Sequence, residues 1–245
     1  MTVATPAPAV AAARRPGEAM RADIQGLRAV AVAAVLAYHL WPGAVRGGYV
    51  GVDVFLVISG YLITAHLLRE PPTTWRAVGR FWGRRVRRLL PASALVILVT
   101  VALGAVVLPG TQLGRTGGAA VTSALYVQNW SLAGSATDYL AAEDAPTALR
   151  HYWSLSVEEQ FYLVWPLLIG AAALVARRLR RLGTGGTVGV VVLAVLAASL
   201  AWSVHLTANN PAAAYFVTTT RIWELALGGA IAVLGLRQWT LPRRL

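Results

Sequence analysis

Arg28 and His39 are the residues of this chain best placed for chemistry, because they lie eleven positions apart in one apolar stretch. In an α-helix, eleven steps make about three turns, so the two side chains share one face and stand about 16 Å apart. With Arg28 at a membrane interface, His39 would lie near the midplane of a hydrocarbon core about 30 Å thick. A guanidinium can anchor an anion and an imidazole can transfer protons, so the pair predicts a binding group and a catalytic group.

Both residues also have an ordinary structural interpretation. His39 alone is compatible with a hydrogen-bonded core histidine, and Arg28 alone could extend its guanidinium to the membrane surface. Asp53 stands at the head of the next apolar stretch. Because ionisable residues inside a membrane are costly, three of them so close together favour function, with Asp53 the weaker candidate.

The composition is that of an integral membrane protein. Of the 245 residues, 57% are hydrophobic and only 13% are charged, where a soluble domain carries about a quarter charged residues. The net charge of +12 comes from arginines without a single lysine. These arginines flank apolar stretches, which fits membrane topology better than nucleic-acid binding. The absence of cysteine excludes disulfides, cysteine metal sites and an acyl thioester on the protein.

Apolar length predicts an all-α membrane helical bundle with six full spans, at 24–41, 49–68, 89–108, 152–176, 188–207 and 214–236. A weaker segment, 117–133, is expected to be re-entrant or to lie at the surface, because a seventh crossing would break the positive-inside pattern. That pattern puts the N-terminus in the cytoplasm. Residues 1–23 are expected to form a disordered cytoplasmic tail, residues 24–236 the membrane core, and residues 237–245 a second cytoplasmic tail.

Arginines cluster before the third predicted span, at Arg84, Arg85, Arg87 and Arg88. On a helix, residues three apart share a face. Paired guanidinium groups bind phosphate in a bidentate fork, so the cluster is a candidate site for a phosphorylated ligand. A topology anchor or a contact with anionic lipid explains the cluster equally well from the spacing alone.

Two adjacent carboxylates, Glu158 and Glu159, enter an apolar helix within the stretch HYWSLSVEEQFY. Neighbouring residues point to different faces, so one of the two could face a cavity and orient His39 or an acceptor. The alternative is a helix N-terminus, where early acids together with Ser154 or Ser156 complement the dipole.

Arg221 and Glu224 are spaced i,i+3 near the start of the sixth predicted span. This spacing allows an ion pair inside the membrane, which spares the cost of lone charges. A structural pair is the favoured interpretation, and a functional role is the alternative.

Together these motifs resemble the membrane acyltransferase-3 family, the O-acyltransferases of bacterial surface polysaccharides. The Arg-x₁₀-His pattern is matched by Arg28 and His39, and the Arg-x-x-Arg pattern lies within 84–88. The WSLSVEEQFY and TRxWEL signatures are also present. The resemblance runs from Arg21 to about Gly235 and so covers nearly all of the chain.

The resemblance implies transfer of an acyl group, acetyl by family habit, from cytoplasmic acyl-CoA to a hydroxyl of an extracytoplasmic glycan or lipid-linked sugar. It implies that the arginine cluster binds coenzyme A phosphates and that Arg28 orients the donor. His39 would act as general base or carry the acyl group, and Glu158 or Glu159 would orient His39 or the acceptor. Neither a metal nor nucleic acid is implied.

The same resemblance implies a location in the bacterial inner membrane, with membrane lipids as partners. A separate or fused extracytoplasmic hydrolase-like domain is a further expected partner. The chain stops early relative to the family pattern, so it is expected to be C-terminally truncated. The alternatives are a transporter or flippase for a lipid-linked or acylated sugar, and an inactive fragment. Transporters usually contain internal repeats, and the sequence contains none.

Overall fold

The chain folds into a bundle of α-helices. The computed structural model describes residues 22–41, 43–137, 146–179 and 183–240, and within those ranges it contains no strand. The helices are α1 (Ala22–Leu40), α2 (Val50–Arg69), α3 (Trp75–Val107), α4 (Gly110–Ala124), α5 (Gln128–Ser135), α6 (Tyr152–Leu179), α7 (Gly183–Asn209), α8 (Pro211–Phe216) and α9 (Ile222–Thr240). The all-α membrane bundle is confirmed, because α2, α3, α6 and α7 are each long and apolar enough to cross a membrane.

The predicted spans and the observed helices differ in two places. The span predicted at 214–236 is wrong as one helix, because α8 ends at Phe216 and a 3-10 turn, Thr218–Thr220, precedes α9. There the hydroxyl of Thr220 donates to the carbonyls of Ala214 and Val217, both at 2.6 Å. Such local bonds compete with a continuous helix. The total number of crossings stays a prediction, since α1 and α9 are not among the four clear spans.

The second difference concerns the start of the third span. It was expected at residue 89, but α3 already begins at Trp75 and runs for 33 residues, about 50 Å at 1.5 Å per residue. The Thr74 side chain caps this helix by accepting a hydrogen bond from the Ala77 amide. The arginine cluster therefore lies on a regular helix, and the direction of each guanidinium follows from its position in the sequence.

The weaker segment 117–133 does not form one continuous helix. α4 and α5 have 15 and 8 residues, so even α4 spans only about 22 Å, short of a hydrocarbon core of about 30 Å. Between them Tyr126 adopts a left-handed conformation with φ of 55°, and Gln160 of α6 donates to its carbonyl at 2.7 Å. The placement of this segment relative to the membrane stays a prediction.

The predicted tails fall largely beyond the described ranges. Residues 1–21 and 241–245 lie outside the described residues, so the expected disorder of the N-terminal tail is untested. The last two residues of that expected tail, Ala22 and Asp23, already belong to α1. The second expected tail, 237–245, begins inside α9.

Among the described helices, α2 and α9 cross with their backbones in close contact. Gly60 of α2 lies directly against the backbone of Leu225, and Gly228 of α9 lies against the backbone of Val57. Small residues allow helix backbones to approach in this way, as is typical of membrane helix interfaces. Because α2 also contributes to the site described below, this crossing fixes one wall of it.

Replacing Gly228 with alanine should destabilise the protein, because the new methyl would overlap the backbone of Val57. Overpacking of this kind costs about 1–3 kcal/mol. Gly235→Ala is the matched control in the same helix, since nothing lies within 4 Å of that position, and alanine should there raise helix stability slightly. Thermal unfolding in detergent measures both. Equal melting temperatures for the two variants would contradict the close crossing.

Candidate active site

Helices α1, α2 and α6 line an open cavity of about 510 Å³, within the roughly 300–1,000 Å³ range of small-ligand sites. Most of its wall is aliphatic or aromatic. Its polar side chains are His39, His151, Ser154 and Glu158. The cavity therefore combines imidazole and carboxylate groups with an apolar wall, and this combination can support proton transfer to or from a bound molecule.

His39 lies one residue before the end of α1, where its side chain is exposed and lines the cavity. Its Nδ1 is 2.8 Å from the carbonyl oxygen of Val35. A carbonyl can only accept a hydrogen bond, so Nδ1 carries the hydrogen and Nε2 of the neutral ring keeps its lone pair. His39 thus presents a nitrogen able to take a proton.

Arg28 shares the helix face of His39, as the spacing predicted. The cavity-lining residues of α1, among them Ala31 and Val35, continue the row that Arg28 begins. The guanidinium carbon of Arg28 is 5.0 Å from the ring centroid of Phe55, which lines the cavity from α2. Arg28 therefore stands next to the cavity, while its depth in the membrane stays a prediction.

The two adjacent glutamates have different surroundings. Glu158 is buried and lines the cavity, and its Oε1 accepts hydrogen bonds from Ser59 Oγ at 2.5 Å and from Tyr162 OH at 2.6 Å. Glu159 is not among the cavity-lining residues. In the part of the chain that the structure describes, neither glutamate is hydrogen-bonded to His39, so the expected orienting role stays a prediction.

The alternative of a helix N-terminus for this pair is wrong. α6 begins at Tyr152 and its first turn contains no acidic residue. Ser154 and Ser156 do not cap the helix either, because their hydroxyls donate to the carbonyls of His151 and Tyr152. The acids lie in the second turn, where they face other helices.

Arg85 of α3 forms ion pairs with the carboxylates of α6. Its Nε is 2.9 Å and its terminal nitrogen 2.6 Å from Glu159 Oε1, and the same terminal nitrogen is 3.7 Å from Glu158 Oε1. The guanidinium carbon also lies 3.3 Å from the ring centroid of Tyr162. Of the four predicted phosphate-binding arginines, Arg85 is therefore the one that is already occupied by protein groups.

The other three predicted arginines, Arg84, Arg87 and Arg88, are exposed. None of them forms an ion pair with a residue of the described ranges. Arg76 and Arg80 lie nearer the start of α3 than these three arginines and are also exposed. Sequence analysis missed these two, although their spacing of four residues was a signal for one shared face.

The angular positions on α3 explain why one arginine differs from the others. At about 100° per residue, Arg76, Arg80, Arg84 and Arg87 fall within about 80° of one another, whereas Arg85 is about 180° from Arg76. We call these four exposed residues the arginine stripe. It passes the level of Glu159, since Arg85, which lies between Arg84 and Arg87 in the sequence, touches that carboxylate.

The predicted pair of Arg221 and Glu224 is confirmed, with 2.7 Å between Nη1 and Oε1. The same nitrogen is 3.0 Å from Asp53 Oδ1, so Asp53 belongs to this ion cluster and not to the cavity lining. Glu224 is 1% exposed. The cluster joins the start of α2 to the start of α9, as the favoured structural interpretation expects. A functional role for Asp53, Arg221 or Glu224 stays a prediction.

His151 was not selected from the sequence, yet it lines the cavity beside His39. The available signal was its position as the first residue of the HYWSLSVEEQFY stretch. In the described ranges no group of three or more histidine, aspartate or glutamate side chains is arranged to hold a metal ion. The candidate acid–base groups of the cavity are thus His39, His151 and Glu158.

The fold and the cavity define a helical membrane protein that can carry out acid–base chemistry among its helices. The chain belongs to the acyltransferase-3 family, whose model, described as an acyltransferase domain, matches residues 21–244.

Curated relatives agree with this family. OatA of Listeria monocytogenes, a peptidoglycan O-acetyltransferase, is 37% identical over 217 residues, 86% of this chain and 33% of OatA. YrhL of Bacillus subtilis, provisionally named a peptidoglycan O-acetyltransferase, is 36% identical over 90% of this chain and 33% of YrhL. SACOL0978 of Staphylococcus aureus, provisionally named an O-acetyltransferase, is 34% identical over 86% of this chain and 34% of its own length. The chain thus spans about a third of the curated relatives it matches. No solved structure matches it.

Proposed function

We propose that the chain transfers an acyl group, acetyl in the first instance, from acyl-CoA to a hydroxyl of an extracytoplasmic glycan, with peptidoglycan as the acceptor class. The observation that carries this proposal is the cavity in which His39, with Nε2 free, lies together with His151 and Glu158. The family supports acyl transfer. The name of OatA supports acetyl as the group and peptidoglycan as the acceptor.

In the proposed reaction the acceptor hydroxyl loses its proton to Nε2 of His39 as its oxygen attacks the thioester carbonyl. The carbon–sulfur bond then breaks, and the proton passes from His39 to the departing thiolate to give free coenzyme A. A positioned imidazole contributes about 10²–10⁴-fold to such a step. Arg28, next to the cavity through Phe55, is proposed to orient the donor.

The arginine stripe is proposed to bind the phosphates of coenzyme A. Its guanidinium groups are exposed, and no ion pair within the described ranges occupies them. The stripe runs from near the N-terminus of α3 past the level of Glu159, on a side of α3 turned away from α6. We propose that the thioester arm of a donor bound there passes around α3 to the cavity. This arrangement requires the start of α3 to lie on the cytoplasmic side of the inner membrane. The N-terminus of the chain would lie on the same side.

Replacing Arg84 and Arg87 together with glutamine should raise the KM for acetyl-CoA by about tenfold or more, since each lost charged hydrogen bond costs about 1.5–3 kcal/mol when it is well formed. kcat should stay within about twofold, because neither residue lines the cavity. Initial rates of label transfer measure both constants.

Two controls make this result specific to phosphate binding. Arg46→Gln, in the connection between α1 and α2, removes one positive charge from another exposed position and should leave KM unchanged. Acetyl-pantetheine, which lacks the nucleotide phosphates, should be used equally well by wild type and the Arg84/Arg87 variant. An unchanged KM for acetyl-CoA in that variant would refute phosphate binding by the stripe.

The experiment that tests the proposed function supplies radiolabelled acetyl-CoA to the cytoplasmic face of membrane vesicles that contain the protein and peptidoglycan fragments. We expect label in ester linkage on the glycan, released by mild alkali. Movement of the glycan across the membrane without acetylation would instead identify a transporter. Absence of both outcomes would contradict the proposed function of this chain.

A further inference from the structure

We infer that Ser59 and Tyr162 are positioning residues for the proposed acyl transfer, because they hold one oxygen of Glu158, a residue that lines the cavity, and do not bind its other oxygen. This inference rests on the proposed function. Both hydroxyls donate to the same atom, Glu158 Oε1, at 2.5 Å from Ser59 and 2.6 Å from Tyr162.

The second oxygen of Glu158 is in a different situation. In the described part of the structure, Oε2 accepts no hydrogen bond. It is absent from the fully buried polar atoms without a partner, so it is not fully buried. Since Glu158 lines the cavity, Oε2 is the atom that can accept a hydrogen bond there. The acceptor hydroxyl and the imidazoles of His39 and His151 are the groups that could donate to it.

The donors themselves are held firmly. Tyr162 is 4% exposed, and its ring is covered by the guanidinium of Arg85 at 3.3 Å. Ser59 is 7% exposed and precedes Gly60, which lies against the backbone of Leu225 at the α2–α9 crossing. Because both donors are packed in place, the two bonds should favour one direction of the carboxylate.

The charged groups around Glu158 do not replace these two donors. Arg85, on α3, makes its short contacts with Glu159 and is 3.7 Å from Glu158 Oε1. On the cavity side, His39 of α1 and His151 at the start of α6 form no hydrogen bond to Glu158. Loss of Ser59 or Tyr162 should therefore let the carboxylate turn away from its working direction.

The test compares Tyr162→Phe and Ser59→Ala with Tyr152→Phe in the vesicle assay. Tyr152 is a matched control, because it is a buried tyrosine of the same helix whose hydroxyl donates at 3.0 Å to the carbonyl of Ser93 rather than to Glu158. We expect Tyr162→Phe and Ser59→Ala each to lower kcat by roughly tenfold, with the KM for acetyl-CoA within about twofold of wild type. Tyr152→Phe should leave kcat within about twofold of wild type, even if its melting temperature falls as far as that of Tyr162→Phe.

A second comparison asks whether the effect passes through Glu158. Adding Tyr162→Phe to Glu158→Gln should lower the residual rate by less than about twofold, because residues that act as a unit are not additive. Equal kcat values for Tyr162→Phe and Tyr152→Phe, or a full tenfold loss in the Glu158→Gln background, would overturn the inference. In either case, an active wild type with an inactive His39 variant would still support the proposed function. An inactive wild type would contradict both the proposed function and the inference about Ser59 and Tyr162.

Discussion

Replacing His39 with glutamine should lower the rate of acetyl transfer by about 10²–10⁴-fold, the contribution of a well-placed general base. Glutamine keeps a polar side chain of similar size but has no group that can take a proton near neutral pH. The free Nε2 of His39 is fixed by the bond between Nδ1 and the Val35 carbonyl. The loss should appear in kcat, because the reaction step and not donor binding depends on this nitrogen.

The matched control for this prediction is His205→Gln. His205 is an exposed histidine of α7 that stacks on Trp202, with 5.5 Å between ring centroids, and it does not line the cavity. Its replacement should leave the rate within about twofold of wild type. If the His39 variant retained a wild-type rate while inserted in the membrane, His39 would have no part in the reaction.

Replacing Arg221 with glutamine should destabilise the protein by about 3–5 kcal/mol, the usual cost of removing one partner from a buried ion cluster. Among the described residues, Arg221 is the cation that pairs with both Asp53 and Glu224, at 3.0 Å and 2.7 Å. Without it, the two carboxylates would face each other in a low-dielectric environment, and Glu224 is almost fully buried. The melting temperature in detergent and the yield of inserted protein measure the loss.

Two comparisons separate the ion cluster from a general effect of lost charge. Arg150→Gln removes a nearby exposed arginine that lies 5.6 Å from the ring centroid of Phe216 and forms no ion pair with described residues, so its cost should stay below about 1 kcal/mol. Adding Glu224→Gln to Arg221→Gln should recover part of the stability, since it removes an uncompensated charge. A double variant less stable than Arg221→Gln would argue against the cluster.

The sequence predicted those features that depend on helical periodicity. The common face of Arg28 and His39 and the pair of Arg221 and Glu224 follow from 3.6 residues per turn, and the structure contains both. Apolar length likewise predicted helices in all six places where spans were expected. It failed at residues 214–221, because the hydroxyl of Thr220 bonds to local carbonyls and ends α8.

Contacts between distant parts of the chain could not be predicted in this way. Nothing in the spacing of Arg84 and Arg85 shows that only Arg85 meets Glu159, 74 residues later. The same holds for Ser59 and Glu158, which are 99 residues apart. Periodicity fixes which residues share a face of one helix, but the packing of α2, α3 and α6 decides which faces meet.

The central claim, that the cavity between α1, α2 and α6 receives the acyl group, is tested most directly by photo-cross-linking. A short-chain acyl-CoA with a diazirine in the acyl group is irradiated with the protein in membranes, and the modified peptides are mapped by mass spectrometry. We predict cross-links at cavity residues such as Val35, Val52 and Leu155, which unlabelled acetyl-CoA suppresses. Suppressible cross-links confined to the exposed face of α3, or none at all, would contradict the account.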